Sequence, residues 1–225
     1  MNTVGTAALQ YGPTGAISRE DMANLPIRRY AGEVCLVATP PQAERALAEM
    51  QQEDVVGFDT ETRPAFRKGE VHLPCLVQVA TARRVYLFQL RHAQVFPAVA
   101  ALLTATRVVK AGVALAQDLR ALRQLLPFAE SNVLDLGIVA RHNRIGQTGL
   151  RNLAGIFLGA RIPKGARTSN WAASKLSPAQ ITYAATDAWV YRELYLRFRD
   201  HGLLQATAQF ADPPPAPAET GVHRR

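Results

Sequence analysis

Asp59 and Glu61 stand one residue apart at the end of an apolar run, Val55-Val56-Gly57-Phe58-Asp59-Thr60-Glu61. Val, Val and Phe favour a buried strand, and side chains two apart on a strand share a face. The two carboxylates therefore project together. Like charges held side by side repel, and burying them unpaired is expensive. A divalent cation relieves both costs, because hard cations such as Mg²⁺ prefer carboxylate oxygen. Taken alone, the pair reads more simply as a strand end running into water, where acidic residues are common.

Asp118 follows Lys110-Ala111-Gly112-Val113-Ala114-Leu115-Ala116-Gln117. A strand, a Gly turn and a helix would place it in the first turns of that helix. By itself it does no more there than complement the helix dipole, worth about 0.3–1 kcal/mol. Tyr183 and Asp187 lie in a helix that Ser177 caps and Pro178 opens. Spacing of i and i+4 stacks them on one face. Ala184, Ala185 and Ala188 surround them, so another surface can approach closely. As an isolated pair they equally describe a surface Tyr–Asp contact.

The elements that must carry these groups alternate between strand and helix. Glu33 to Ala38 reads as a short strand, and Pro40 and Pro41 open a helix through Ala43, Ala46, Leu47 and Met50. The Val55 strand follows. Residues 73–81 alternate, Val85 to Phe88 comes after Ala82-Arg83-Arg84, and the two runs predict a hairpin. Phe96 to Leu103 is helical, Val108-Val109 a short strand, and Leu115, Leu119, Leu122 and Leu126 fall at helical spacing. Val133-Leu134 begins another strand. Of the helices after it, Gly149 to Leu158 and Pro178 to Phe198 are the clearest. Antiparallel-prone strands followed by strand–helix alternation predict an α/β class, a mixed sheet flanked by helices. A ribonuclease-H-like architecture has that order, and pattern alone ranks it level with a small Rossmann-like sheet. No G-x-G-x-x-G follows a strand, so the dinucleotide fingerprint is missing.

The net charge is +8, and its distribution says more than its total. Between Asp135 and Asp187 there is no acidic residue, while Arg141, Arg144, Arg151, Arg161, Lys164, Arg167 and Lys175 are all there. Such an interval fits a polyanionic partner as well as a solvated face. No apolar run approaches the ~18 residues needed to cross a bilayer, and no membrane association is expected. The N-terminus lacks the pattern of a secretory signal. Cys35 and Cys75 lie far apart without C-x-x-C spacing, which fits reduced thiols and a cytoplasmic location. Residues 1–25 read as a flexible segment, 26–208 as one domain and 209–225 as a Pro-rich disordered tail.

Taken together, Asp59-x-Glu61, then Asp118, then Tyr183-x-x-x-Asp187 form a fixed order that resembles the DEDD superfamily of 3′→5′ exonucleases, in the branch with a tyrosine in its third motif. Val56-Gly57-Phe58-Asp59-Thr60-Glu61 resembles the first motif. Lys110-Ala111-Gly112-Val113 leading to Asp118 resembles the second. Gly149-Leu150-Arg151-Asn152-Leu153-Ala154, Ser169-Asn170-Trp171, Leu176-Ser177 and Tyr183-Ala184-Ala185-Thr186-Asp187-Ala188 resemble the third and its approach. The nearest likeness is to ribonuclease D and the Werner-syndrome exonuclease domain, over roughly Glu33 to Phe198. Two departures stand out. Thr62-Arg63-Pro64 follows the motif-one glutamate where many relatives have an aromatic residue, and the chain is too short for the helical nucleic-acid-binding domains of ribonuclease D.

The resemblance implies a ribonuclease-H-like fold and two-metal phosphodiester hydrolysis with Mg²⁺ or Mn²⁺. Asp59 would bridge both ions, with Glu61 and Asp187 completing one site and Asp118 supporting the other. Tyr183 would position the attacking water, since a phenol titrating near pH ~10 is a poor base at neutral pH. The partner would be nucleic acid with a single-stranded or recessed 3′ end, the choice of DNA or RNA and the oligomeric state being left open. Arg63, Arg67, Lys68 and Arg167 would hold the strand's phosphates. Phe66 and Trp171 are candidates to stack on the terminal base, although Trp171 is as well suited to the core and Phe66 to anchoring its loop. Two other readings remain at this point: a catalytically silent nucleic-acid-binding module, and a phosphodiesterase specific for short oligonucleotides.

Overall fold

The central strand takes its place from its composition. Val55, Val56 and Phe58 offer apolar groups to both sheet faces, so the run is buried on both sides. The computed structural model describes residues 16–205 apart from Phe66, Lys68 and Arg167. In chain order its elements are α1 (Arg19–Asn24), β1 (Glu33–Val37), α2 (Pro40–Met50), β2 (Val55–Thr62), β3 (Pro74–Ala80) and β4 (Arg84–Gln89). Then come α3 (Phe96–Thr104), β5 (Val109–Gly112), α4 (Leu115–Leu122), β6 (Val133–Asp135), α5 (Leu136–His142), α6 (Leu150–Leu158) and α7 (Pro178–Asp200).

The strands form one six-stranded sheet in the order β1-β4-β3-β2-β5-β6. β3 runs antiparallel to both β2 and β4, whereas β1 pairs with β4, β5 with β2 and β6 with β5 in parallel. This is the mixed α/β sheet flanked by helices expected of the sequence. One face packs Phe58, Val77, Val79 and Phe88 against α2, α3 and α4. The opposite face carries α7, whose Ala184, Ala185 and Ala188 lie over Leu76, Ala80 and Leu87.

Helix α7 sits very close to the sheet. A Cβ on Gly57 would stand 1.9 Å from the Ala188 carbonyl oxygen and 2.8 Å from the Arg192 nitrogen, so no other residue fits there without moving the helix. Ser177 Oγ accepts from the Gln180 amide at 3.2 Å, and Gln180 Oε1 accepts from the Ser177 amide at 2.9 Å, a capping box that fixes where α7 begins. Further along, Arg192 Nη2 pairs with Glu53 Oε2 at 3.1 Å.

Of the segment expected to be flexible over residues 1–25, residues 16–25 are described. Arg19–Asn24 is helical, Ser18 caps it, and Ile17 is buried against Leu153 and its neighbours. An apolar foot at Ile17 gives this stretch something to pack on. Residues 1–15 and the Pro-rich tail over 209–225 lie outside the described residues. Among the described residues no helix is long and apolar enough to cross a membrane.

Candidate active site

Two elements converge on one point, and a third borders it. Asp59 and Glu61 alternate with Phe58 and Thr60 along β2, on the same face as Gly57, and so point toward α7. Tyr183 and Asp187 project from α7 toward the sheet. One carboxylate oxygen from each of Asp59, Glu61 and Asp187 falls within 4.8 Å of the others. Asp118 lies outside that triplet. It comes from α4, on the opposite face, and its Oδ1 accepts from Thr60 Oγ1 at 2.7 Å. The helix carrying it begins at Leu115, after Ala114 in a left-handed conformation with φ of 60°, and ends at Leu122, short of the Leu126 that its leucine spacing includes.

The electrostatics are those of negative charge forced together. Burial and the charges of Asp187, Glu61 and Asp118 hold the Asp59 carboxyl well above its ordinary range. Burial raises Asp187 to about 6, although the Arg151 guanidinium and the Tyr183 hydroxyl pull the other way. Burial also raises Asp118, offset in part by its hydrogen bond from Thr60. Tyr183 is pushed well above its usual value by burial and then by Asp187 and Glu61. Asp187 is 4 % exposed, yet its Oδ1 accepts no hydrogen bond from the described residues. Three converging carboxylates with a buried orphan oxygen make an all-oxygen donor set, which fits a hard divalent cation and suits zinc less.

Arg151 belongs to this site although its motif gave it no role. Its Nε and Nη2 donate to the carbonyls of Ile162 and Pro163, both at 3.2 Å, and its charge reaches Asp187 and Tyr183. The one available signal was its place at the start of α6, inside the acid-free interval. Along α7, beside Tyr183 and Asp187, runs a cleft of about 580 Å³ closed by Ile162, Gly165 and Arg29.

The residues expected to contact nucleic acid divide. Arg63 lies on the rim, where it and Pro64 face Thr168 and Asn170 across a cavity of about 310 Å³, and it pairs with Glu70 at 3.3 Å. Arg67 is exposed near it. Phe66, Lys68 and Arg167 lie outside the described residues. Trp171 corrects an expectation: it is 2 % exposed, with its ring centroid 6.0 Å from that of Tyr183. It is a core residue backing the tyrosine, and so is not presented to stack on a base.

A family model described as 3′-5′ exonuclease matches residues 34–202. Ribonuclease D of Haemophilus influenzae is 32% identical over 148 residues, covering 64% of this chain and 36% of that protein. The bifunctional 3′-5′ exonuclease/ATP-dependent helicase WRN of Mus musculus is 29% identical over 196 residues, 83% of this chain and 14% of that one. The chain thus spans well under half the length of either relative. Among solved structures, the Nibbler EXO domain of Aedes aegypti superposes with a TM-score of 0.69 at 23% identity, covering 77% of this chain and 92% of that domain. That likeness is one of fold.

Proposed function

This chain belongs to the 3′-5′ exonuclease family, and from that premise we propose that it removes nucleotides from the 3′ end of a nucleic-acid strand by metal-dependent hydrolysis. The observation that carries the reading is the convergence of Asp59, Glu61 and Asp187 within 4.8 Å. A protein that merely bound phosphate would gain nothing from gathering negative charge at that point, which speaks against a silent binding module.

Asp59, Glu61 and Asp187 would hold one Mg²⁺ or Mn²⁺, and Asp118, whose charge is felt at Asp59, would support a second through water. Such ions would supply an activated water and relief of charge on the leaving oxygen. The chain's own residues do the rest. Tyr183 keeps its proton, because burial and the neighbouring carboxylates oppose a phenolate. Its Oη therefore orients the attacking water and does not deprotonate it. Trp171 fixes the tyrosine ring from behind. Arg151 ties the Ile162–Pro163 segment to the site and sets a positive charge beside Asp187. Attack on the terminal phosphorus forms an oxygen–phosphorus bond and breaks the bond to the 3′ oxygen of the preceding nucleotide, which takes up a proton. A nucleoside 5′-monophosphate leaves, and the cleft beside α7 is large enough for a terminal nucleotide.

The test is a 5′-labelled strand, single-stranded or recessed, made as matched DNA and RNA. A ladder shortening from the 3′ end in Mg²⁺ or Mn²⁺, abolished by EDTA and by Asp187→Ala with binding retained, is the expected result. Internal cuts alone, or cleavage that survives EDTA, would overturn the proposal. Cleavage confined to oligonucleotides of a few residues would assign the site to short substrates.

A further inference from the structure

Gln78 lies at the centre of the sheet beneath α7, on β3. It is 0 % exposed, and neither its Nε2 nor its Oε1 has a hydrogen-bond partner among the described residues. Buried polar side chains are usually paired, and an amide left with both ends unpaired costs stability. Its surroundings offer little relief. On its own strand Leu76 and Ala80 share its face, Leu87 is its partner on β4, and Ala184 and Ala188 lie in the same layer. Across β2, however, its partner in register is Asp59. Directly opposed residues of an antiparallel pair project to the same face with Cβ atoms about 4.5–5.5 Å apart, within reach of a glutamine side chain.

We propose that Gln78 is a positioning residue for Asp59: its Nε2 donates to the Asp59 carboxylate when that group holds a cation, fixing the orientation of the carboxylate. The inference rests on the metal reading of the Asp59–Glu61–Asp187 cluster and deepens it. An aliphatic residue would fill this place in an apolar layer at no polar cost. The amide makes sense as a donor held in reserve, unsatisfied in the resting fold and used when the site is loaded. Partners that orient a ligating carboxylate in this way change metal affinity about 10–100-fold when lost.

The test is Gln78→Met in the full chain, which keeps length and volume and removes the amide. Two readouts are taken: the melting temperature in EDTA, and the affinity for Mn²⁺ by calorimetry. The expected pair is a metal-free melting temperature equal to or above that of wild type, together with Mn²⁺ binding weakened about tenfold or more. Cleavage, slow at limiting Mn²⁺, should recover when the ion is raised to saturation. A structural role moves these quantities differently. A lower metal-free melting temperature would mean the amide is already paired in the resting fold, and unchanged Mn²⁺ affinity would mean it never engages Asp59; either overturns the proposal. If wild type itself binds no Mn²⁺, while Gln78→Met melts as expected, the metal reading is what has failed.

Discussion

Replacing Asp187 by Asn should stabilise the metal-free protein, with a gain that grows as pH rises from 4 to 6 and is full above that. Asp187 titrates near 6 in the fold against an ordinary value of 3.8, with burial the first cause and Arg151 opposing it. A carboxyl raised in the folded state contributes its stability below its unfolded pKa and loses it as pH rises through the folded one. The window is therefore pH 4 to 6, and above it the wild-type fold carries the full penalty. Roughly two pH units at about 1.4 kcal/mol each give about 3 kcal/mol. Asn mimics the neutral form and removes that penalty. In EDTA at pH 8, Asp187→Asn should raise the melting temperature by about 6–12 °C for a domain of this size. At pH 4 the gain should shrink to about 0.5 kcal/mol, since the folded carboxyl is then protonated and the unfolded one only partly ionised. Adding Mn²⁺ at about 100 times its dissociation constant should return about 2.7 kcal/mol to wild type and little to the variant, closing the gap. Urea or thermal unfolding across pH, with and without the ion, measures all of this. An Asn variant that is less stable than wild type in EDTA at pH 8, or whose effect does not change between pH 4 and 8, would refute the reasoning.

Gly57→Ala should destabilise by about 3 kcal/mol or more, because its Cβ would meet the Ala188 carbonyl at 1.9 Å and push α7 off the sheet. Cleavage measured well below the melting point should fall as well, since the displaced helix carries Tyr183 and Asp187; full activity would contradict the packing. Tyr183→Phe should slow cleavage about 10–100-fold by misplacing the water, with the shape of the pH–rate profile unchanged. Loss of a titrating limb in that variant would instead make Tyr183 the base. Arg67→Ala should lower the slope of log affinity against log salt by about 0.7–0.9 without changing the rate at saturating substrate, read from binding titrations at several ionic strengths.

Local geometry made legible which of the acidic side chains on β2 and α7 share a face, whereas their joint role and that of Asp118 were read only from the order of the motifs. Two-residue spacing on β2 and four-residue spacing on α7 fix which groups share a face, and the Ser177–Gln180 box marks where α7 starts. Strand order was not legible. The parallel pairing of β1 with β4 at the sheet edge depends on which partner buries Val37 and Phe88, a question no local signal answers. Trp171 was ambiguous for a related reason: an indole between Asn170 and Ala172 suits core and cleft equally, and only the position of Tyr183 places it inside. Gln78 shows the same limit. Its alternation with Leu76 and Ala80 identifies a face, but that Asp59 stands opposite follows from a register set by the whole hairpin and β2 together.

The site's cost and the fold's strength meet on one helix. Crowded carboxylates repel, so the metal-free state favours any motion that separates α7 from β2. Three contacts oppose that motion at points spread along the helix: the capping box at Ser177, the close approach of Ala188 to Gly57, and the Arg192–Glu53 pair. Asp187 lies between the first contact and the other two. Each is short-ranged, so a shift of the helix away from the sheet would weaken it. The repulsion is thus held in the fold until a cation offsets it, and the oxygens are already near one another when it arrives. A looser helix would make a more stable metal-free protein and a site less ready to bind the ion.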